Sequence, residues 1–423
     1  MRQVHAWGPG SQARTSDRYR IVTRLAQPAD FVEASVTSCT VTSMTGRFPG
    51  AATASSRLGV LLAVALAMTA CRDDDSSKTS STSTSDGGEV ATGEPFPDAR
   101  CEANRAAGTV NYLSGFDFAA TPTIVDVLMA DEQGYFEDMC LDVEITPSFS
   151  TQNYAPVAGG QGQMASGGSF SEVVSYAQRN EARLRAVAVE GRAPIDVLIT
   201  KPGIDELADL EGETIGVKGA LQPSIAAMLA SEGLVEGEDY ETVPIDGFDP
   251  LTHIEIRSIA GFPGYRSNEP GQLERAGVDF EMFDPIDYDV PGSFGVLFTS
   301  DEFLNEHPTA AQDFLRASMK GLADAIDDPE AATSVAVERI NGNGNPNFLS
   351  PEGEAFRWKT ESALVEATPA APAGVIDVEA LQTEVDAYAE VGAFPTEPVA
   401  SAYVADVLTG VYDADGTVIW PST

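Results

Sequence analysis

Short apolar segments alternate with amphipathic ones between residues 108 and 300, and this pattern predicts a succession of strands and helices. Apolar runs or alternating apolar positions predict strands over 108–116, 141–148, 184–190, 195–201, 214–217, 240–246 and 294–300. Apolar residues at helical spacing predict helices over 121–136, 151–158, 169–182 and 223–234. Strands and helices that alternate in this way indicate an α/β protein with mostly parallel sheets.

The pattern becomes mainly helical after residue 300. The segment 309–329 carries a single apolar stripe that includes Phe314, Leu322 and Ala325. Further helices are predicted over 329–340, 352–367, 378–391 and 397–410, and a closing hairpin is predicted over 413–421. The folded part therefore begins near Asp98, and its length of about 325 residues predicts two lobes rather than one core.

The most apolar stretch of the chain, residues 58–70, precedes the folded part and has the layout of an export signal. It has 13 residues, whereas a helix that spans a bilayer needs about 20. Arg57 precedes it, and it ends in Met68-Thr69-Ala70-Cys71, which resembles a bacterial lipobox. The resemblance implies a lipoprotein signal peptide over 44–71 with Cys71 as the lipidated residue. The alternative is an ordinary buried helix with a chance cysteine.

The segments on either side of this signal are not expected to fold. A start at Met44 would give a leader of normal length, and we expect residues 1–43 to be an over-called start that adds nothing to the fold. Residues 72–97 are rich in Ser, Thr, Gly and Asp. This composition predicts a flexible tether between the lipid anchor and the folded part.

Charge and cysteine content restrict the function further. The chain has 25 basic and 65 acidic residues, a net charge of −40, and such a surface repels phosphate backbones, which argues against a nucleic-acid partner. Of the four cysteines, Cys101 and Cys140 lie in the exported part, where two thiols readily pair. Two free, buried thiols are the alternative. No cysteine or histidine spacing is typical of a zinc site.

Four segments, in this order, resemble the substrate-binding proteins of ABC importers, and in particular the group that binds thiamine-pyrimidine precursors, nitrate, sulfonates and taurine. They are MADEQGYFEDMCLDVEI (129–145), LADLEGETIGVKG (207–219), GLVEGEDYETVPID (233–246) and the helical stretch 298–332. The chain departs from the group at Met139-Cys140-Leu141, where Gly-Leu is usual. The likeness covers about residues 108 to 400.

The resemblance implies a type II periplasmic-binding-protein fold, in which two crossovers join two lobes and the ligand lies in the cleft between them. Lobe one would comprise 98–197 and 292–423, and lobe two 198–291. It also implies a monomer outside the cytoplasm, held by its lipid anchor, that delivers a small molecule to a membrane permease. Neither a cofactor nor a metal is expected.

Clefts of this kind are lined by loops that leave strand ends and by helix N-termini. Five stretches qualify: 114–118, 165–172, 218–224, 261–270 and 288–294. The predicted ligand-binding residues are Phe116, Asp117, Phe118, Ser166, Ser169, Lys218, Gln222, Tyr265, Asn268, Glu269 and Tyr288. Each stretch has a structural alternative. In these alternatives one phenylalanine joins the core, both helix starts are plain caps, 261–270 is a surface turn, and Tyr288 is a hinge residue without ligand contact.

The residue types in these stretches indicate the ligand. An anion site would need concentrated Arg or Lys, whereas the richest stretch combines Tyr265 with Asn268 and Glu269. This combination favours an uncharged or weakly basic aromatic ligand, such as a thiamine-pyrimidine precursor or a flavin. The second candidate is nitrate, a sulfonate or taurine, held by the two helix starts at 165–172 and 218–224.

Catalysis is disfavoured. The three histidines, His5, His253 and His307, form no recognisable catalytic pattern, and the chain has no Gly-x-Ser-x-Gly nucleophile elbow. Pyrimidine-precursor synthases of the same fold group carry a run of adjacent cysteines that this chain lacks. A structural or adhesive lipoprotein is a third possibility, and it would have no closing cleft and no ligand.

Overall fold

The computed structural model describes residues 88–247, 249–343, 350–366 and 371–422. The predicted over-called start, the predicted signal peptide, the predicted lipidation site Cys71 and most of the predicted tether lie outside these residues. Among the described residues, no helix has both the length and the apolar character that crossing a membrane requires.

Ten strands form two five-stranded sheets. They are β1 (Thr109–Leu113), β2 (Asp142–Thr146), β3 (Met164–Gly167), β4 (Leu184–Gly191), β5 (Asp196–Thr200), β6 (Thr214–Val217), β7 (Glu241–Pro244), β8 (Gly261–Tyr265), β9 (Glu281–Phe283) and β10 (Phe294–Ser300). The first sheet has the order β2-β1-β3-β10-β4 and the second the order β7-β6-β8-β5-β9. We call the part built around the first sheet lobe one and the part built around the second sheet lobe two.

Thirteen α-helices of the described residues surround the sheets. They are α1 (Asp98–Ala106), α2 (Val125–Glu132), α3 (Tyr135–Asp138), α4 (Ser150–Ala158), α5 (Phe170–Asn180), α6 (Pro223–Ser231), α7 (Pro250–Ile254), α8 (Glu269–Ala276), α9 (Asp301–Glu306), α10 (Pro308–Asp327), α11 (Pro329–Asn343), α12 (Pro351–Glu366) and α13 (Val378–Glu390). Short 3₁₀ helices cover Leu207–Leu210, Pro285–Tyr288 and Ala400–Ala402. The predicted α/β class is confirmed.

Both sheets are mixed, so the prediction of mostly parallel sheets is wrong. β1 runs parallel to β2 and β3, and β6 runs parallel to β7 and β8. By contrast, β10 is antiparallel to β3 and β4, and β5 is antiparallel to β8 and β9. A parallel neighbour within one sheet is reached through a crossover connection. The chain instead enters β5 and β10 from the other sheet, and both strands run antiparallel to their neighbours. These two strands carry the chain from one lobe to the other and back.

Most predicted elements occur within a few residues of their expected limits, but several differ. The predicted helix 121–136 is divided by Gly134, whose φ is 74°, into α2 and α3. The short elements α1, β3, α7, β8, α8 and β9 were not predicted.

The predicted helix 397–410 is wrong, because in this segment only Ala400–Ala402 forms a 3₁₀ turn. The backbone of Tyr403 and Ala405 pairs instead with Ala186 at the edge of β4. Pairing with a sheet edge satisfies these backbone groups. The predicted closing hairpin is present as an antiparallel bridge between Tyr412 and Val418.

The core of lobe one lies between its sheet and helices α2 and α10. The two helices approach so closely that a Cβ on Gly321 of α10 would lie 2.1 Å from the carbonyl oxygen of Asp126 in α2. The predicted disulfide between Cys101 and Cys140 is present, with Cα atoms 5.2 Å apart. It attaches α1 to the segment between α3 and β2.

The core of lobe two is smaller and lies on both faces of the second sheet. One side is covered by α6, through Ile225, Met228 and Leu229, and the other is filled around Phe262 and Leu273. All strands of this sheet lie between residues 196 and 283. The exact lobe limits stay a prediction.

Candidate functional site

Four of the five predicted stretches leave the ends of strands, where a ligand can be reached from both lobes. Residues 114–118 follow β1 and residues 168–169 follow β3, both in lobe one. Asn153 of α4 fixes these two loops together, because its Nδ2 donates to the carbonyls of Ser114 (2.8 Å) and Ser166 (2.9 Å). In lobe two, residues 218–222 follow β6 and residues 266–268 follow β8.

Only one of the two predicted phenylalanines remains partly exposed. Phe118 is 3% exposed and belongs to the lobe-one core. Phe116 is half-buried, and its ring meets Phe149 edge-on with centroids 5.6 Å apart. The guanidinium of Arg357 lies 5.4 Å from the centroid of Phe116. Phe116 is therefore the phenylalanine that could border a ligand.

Two tyrosines from opposite lobes lie near each other among carboxylates. Tyr265 of lobe two is 42% exposed. Desolvation nevertheless raises the pKa of its phenol well above the ordinary value, and four carboxylates raise it further. They belong to Asp196, Glu172, Glu269 and Glu361. Tyr265 therefore combines an accessible ring with several acidic groups near enough to affect its pKa.

The lobe-one tyrosine is Tyr154, whose hydroxyl donates to Oε2 of Glu172 (3.0 Å). Burial raises the pKa of Tyr154, as do Glu172 and, more weakly, Tyr265. We call Tyr154, Glu172, Asp196 and Tyr265 the cleft cluster. Two of these residues belong to lobe one and two to lobe two, so the cluster lies where the lobes face each other.

The carboxylates of the cleft cluster hold protons more tightly than exposed acids do. Burial, together with Glu172 and Glu269, raises the pKa of Asp196 to about 7, although Ser224 donates a hydrogen bond of 2.7 Å to its Oδ2. Burial also raises the pKa of Glu172. Carboxylates that raise one another's pKa do not all ionise easily. The site that they form attracts positive charge and hydrogen-bond donors.

Sequence reasoning missed both carboxylates of the cleft cluster. Glu172 lies inside the predicted stretch 165–172 and could have been found there. Asp196 opens a strand that was predicted only as buried sheet, and nothing local marks it.

At the first helix start, the N-terminus of α5, the backbone amides that could bind an anion already donate hydrogen bonds within the protein. The amide of Phe170 donates to Ser293 Oγ (2.8 Å) and the amide of Ser171 to Glu384 Oε1 (3.0 Å). The amide of Glu172 donates to Ser169 Oγ (3.3 Å), so Ser169 is the helix cap. Because these three amides already have acceptors and one is a carboxylate, an anion here would be repelled.

The second helix start, that of α6, is equally unsuited to an anion. Pro223 occupies its first position and has no amide hydrogen to donate. The hydroxyl of Ser224 is bonded to Asp196. Oε1 of Gln222, the cap residue, is buried and accepts no hydrogen bond from the described residues. It could accept one from a ligand donor.

The stretch 261–270, which sequence composition singled out, is held firmly by its own residues. Glu269 is 4% exposed, and its Oε2 accepts from the amide of Tyr265 (2.7 Å). Its Oε1 lies 3.7 Å from Nζ of Lys218. Oδ1 of Asn268 accepts from Arg357 (3.0 Å) and Gln272 (3.1 Å). The structure thus brings Lys218, Tyr265 and Glu269 together, with Glu269 supporting the loop that presents Tyr265.

Three predicted residues remain, Asp117, Ser166 and Tyr288, and their surroundings differ. Asp117 has a positive φ of 49°, and its Oδ1 is buried without a hydrogen-bond partner among the described residues. Ser166 is buried, with its Oγ 2.6 Å from Thr123 Oγ1. Tyr288 lies in a 3₁₀ helix against the core of lobe two, where burial and Glu232 raise the pKa of its phenol. No described contact joins Tyr288 to the cleft cluster.

A metal centre has no support in the part of the chain that the structure describes. No three or more His, Cys, Asp or Glu side chains there come together in a way that could hold an ion.

Comparison with known proteins gives a family match. The family model described as "NMT1/THI5 like" matches residues 121–332, which is half of the chain. A formylaminopyrimidine-binding protein from Halalkalibacterium halodurans is 27% identical over 302 residues, which cover 66% of this chain and 86% of the relative. The riboflavin-binding protein RibY from Chloroflexus aurantiacus is 30% identical over 135 residues, which cover 31% of this chain and 38% of the relative.

Solved structures show the same fold at low sequence identity. The periplasmic aliphatic sulphonate binding protein SsuA from Escherichia coli superposes with a TM-score of 0.54 at 13% identity, over 70% of this chain and 92% of that chain. The desulfurization enzyme DSZB superposes with a TM-score of 0.50 at 15% identity, over 71% and 98%. The predicted periplasmic-binding-protein fold is therefore confirmed. The fold itself is shared by binding proteins and by at least one enzyme.

Proposed function

Because the chain belongs to the NMT1/THI5-like family, we propose that it is an extracytoplasmic solute-binding protein that captures a small aromatic or heterocyclic molecule for an ABC permease. The cleft cluster is the observation that carries this proposal. It offers the exposed phenol ring of Tyr265 from lobe two, with the carboxylates of Glu172 and Asp196 beside it. Tyr154 of lobe one is buried and orients Glu172 through its hydroxyl. Such a site suits a flat ring that donates hydrogen bonds or carries a partial positive charge.

An aminopyrimidine of the kind that the first relative binds fits this description best. Its exocyclic amine can donate to a carboxylate, and its ring can stack on an exposed tyrosine. A flavin offers a larger ring with fewer donors to carboxylates. Nitrate, sulfonates and taurine are disfavoured, because the helix starts that would hold their oxygens lie beside Glu384 and Asp196.

Capture follows from the two-lobe architecture. With the lobes apart, Tyr265 and the carboxylates are open to solvent, and closure brings them around the ligand. Removal of water strengthens each polar contact. The closed form then docks on the permease, and no step requires catalysis. We further propose that Cys71 carries lipid and that the chain between Cys71 and residue 88 tethers the protein to the cell membrane as a monomer. The predicted tether is shortened from residue 97, because Val90 is buried and the amide of Gly93 donates to the carbonyl of Trp420. The disulfide suits an oxidising compartment outside the cytoplasm.

Thermal denaturation with a panel of solutes tests the proposal. We expect formylaminopyrimidine to raise the midpoint, and riboflavin to raise it less, while nitrate and taurine leave it unchanged. A ligand at 100 times its Kd stabilises the folded state by about 2.7 kcal/mol. If nitrate or taurine stabilised the protein and neither ring did, the anion alternative would replace this one. If no solute had any effect, capture itself would lose its support.

Replacement of Glu172 by glutamine tests the role of the acidic cleft. Glutamine can still accept from Tyr154 but carries no charge. Since a hydrogen bond to a charged group contributes about 1.5–3 kcal/mol, we expect Glu172→Gln to weaken formylaminopyrimidine at least roughly tenfold in titration calorimetry at pH 8. The same change at the exposed Glu144 of β2 is the control. An unchanged affinity in Glu172→Gln would remove Glu172 from the site.

A further inference from the structure

Helix α12 is anchored in lobe one although it comes late in the chain. Trp358 is fully buried in the lobe-one core, and its Nε1 donates to the carbonyl of Ala325 in α10 (3.0 Å). Val365, near the C-terminal end of α12, belongs to the same core. Burial of these side chains holds α12 to lobe one.

The neighbouring side chains of α12 contact lobe two. Glu361 accepts hydrogen bonds from Thr121 Oγ1 of lobe one and from Ser267 Oγ of lobe two. Arg357 donates to Glu354 Oε1 in its own helix (2.7 Å) and to Asn268 Oδ1 of lobe two (3.0 Å). Each of these two side chains therefore has one partner in each lobe.

An apolar contact supports the polar ones. Phe356 of α12 lies against α8 of lobe two at Gly271, where a Cβ would come within 2.7 Å of its ring. The guanidinium of Arg275 lies 5.9 Å from the same ring. Gly271 thus permits an approach of the two helices that a side chain would block.

The partners of α12 belong to the loops that line the cleft. Ser267 and Asn268 come directly after Tyr265. On the lobe-one side, the amide of Ala120 donates to Glu354 (2.6 Å), and Arg357 covers the ring of Phe116. Helix α12 consequently joins the loop after β1 to the loop after β8.

We propose that α12 is a clasp that holds the closed form, with Glu361 and Arg357 as positioning residues that bond lobe two only when the lobes meet. The proposal rests on two-lobe capture as proposed above, but not on the identity of the ligand. On opening, Glu361 keeps Thr121 and Arg357 keeps Glu354, so neither charge is left buried without a partner. Since stranding a buried charge is what makes breaking an ion pair strongly unfavourable, this clasp can open reversibly.

Hydrogen exchange of the full chain without ligand tests the clasp. In Glu361→Gln and in Ser267→Ala, we expect amides of 114–121 and 265–269 to exchange about tenfold faster, the effect of losing one charge-assisted bond. Glu361→Gln removes the charge of the acceptor, whereas Ser267→Ala removes the donor. The double variant should match Ser267→Ala, because without the Ser267 hydroxyl residue 361 has lost its bond to lobe two. Glu352→Gln, on the exposed first turn of α12, is the matched control and should leave exchange unchanged.

The pattern of exchange distinguishes a clasp from a purely structural contact. Faster exchange along the whole of α12 and the lobe-one core would show that the substitutions loosen the helix, and this would overturn the proposal. Unchanged exchange in both loops would overturn it as well. The exchange measurement uses no ligand, so its result does not depend on the melting panel. Failure of every solute in that panel would count against the proposed function, and the exchange pattern would still decide whether α12 is a clasp.

Discussion

Replacing Cys101 and Cys140 together by serine is expected to lower the free energy of unfolding by about 4 kcal/mol. The disulfide closes a loop with a sequence separation of 39 residues, and a crosslink of this span removes much conformational entropy from the unfolded chain. The closed loop contains β1, α2 and α3, hence part of the lobe-one core. This lobe should therefore become the first part of the molecule to unfold.

Urea denaturation of the double variant and of the parent, each with and without dithiothreitol, checks this expectation. The reductant should shift the parent to the variant's midpoint and leave the variant unchanged. Hydrogen bonds also hold α1 to lobe one. Arg100 of α1 donates to Asp313 (2.6 Å), and Asn104 donates to the carbonyl of Met139 (2.8 Å). These bonds reduce the loss of stability that removal of the disulfide causes. An equal midpoint for parent and variant would mean that these bonds alone hold α1 in place.

Asp126→Asn is expected to stabilise the protein above pH 7 by roughly 4 kcal/mol and to leave it unchanged near pH 4. Asp126 of α2 is fully buried, and neither carboxylate oxygen has a hydrogen-bond partner among the described residues. Burial raises its pKa to about 7, and burial and Asp126 together raise the pKa of Glu190. Asparagine has the same shape and cannot ionise.

The sign of the effect follows from proton binding. The unfolded state releases the Asp126 proton near pH 4, whereas the folded state holds it to about pH 7. Stability of the parent should therefore fall as pH rises between these values and stay lower above them. Denaturation at pH 4, 6 and 8 measures this, with Asp415→Asn at an exposed turn as control. A variant less stable than the parent at pH 8 would show that the ionised carboxylate has a favourable partner.

The loops after β1 and β6 could be located from the sequence, because hydrophobic patterning marks the ends of these two strands. The loops after β3 and β8 follow strands that were not predicted, and their own glycine, serine, tyrosine and amide side chains indicated them instead. The roles within the loops were harder to predict. Glu269 was expected to contact the ligand, yet its oxygens hold the amide of Tyr265 and face Lys218. Only the folded backbone shows which acceptors a turn needs for itself.

Contacts between segments far apart in the chain could not be predicted. The strand β3 (Met164–Gly167) is short and fully buried, so it shows no alternation. The pKa of Asp196 is raised by burial and further by Glu172 and Glu269, and local sequence shows neither the burial nor these neighbours. Helix α12 was predicted, but its bonds to Ser267 and Asn268 cross about 90 residues of chain. Such pairs depend on how the two sheets face each other.

The place of β10 in the first sheet has a consequence for folding during synthesis. In the order β2-β1-β3-β10-β4, β4 joins the other strands only through β10, which ends at Ser300. As the chain emerges from its N-terminal end, the second sheet, complete at residue 283, can form before β10 is available. The first sheet must wait, with a gap between β3 and β4, until the returning strand arrives. During that interval the unpaired edges of β3 and β4 are the part of the nascent molecule most exposed to aggregation and to chaperones.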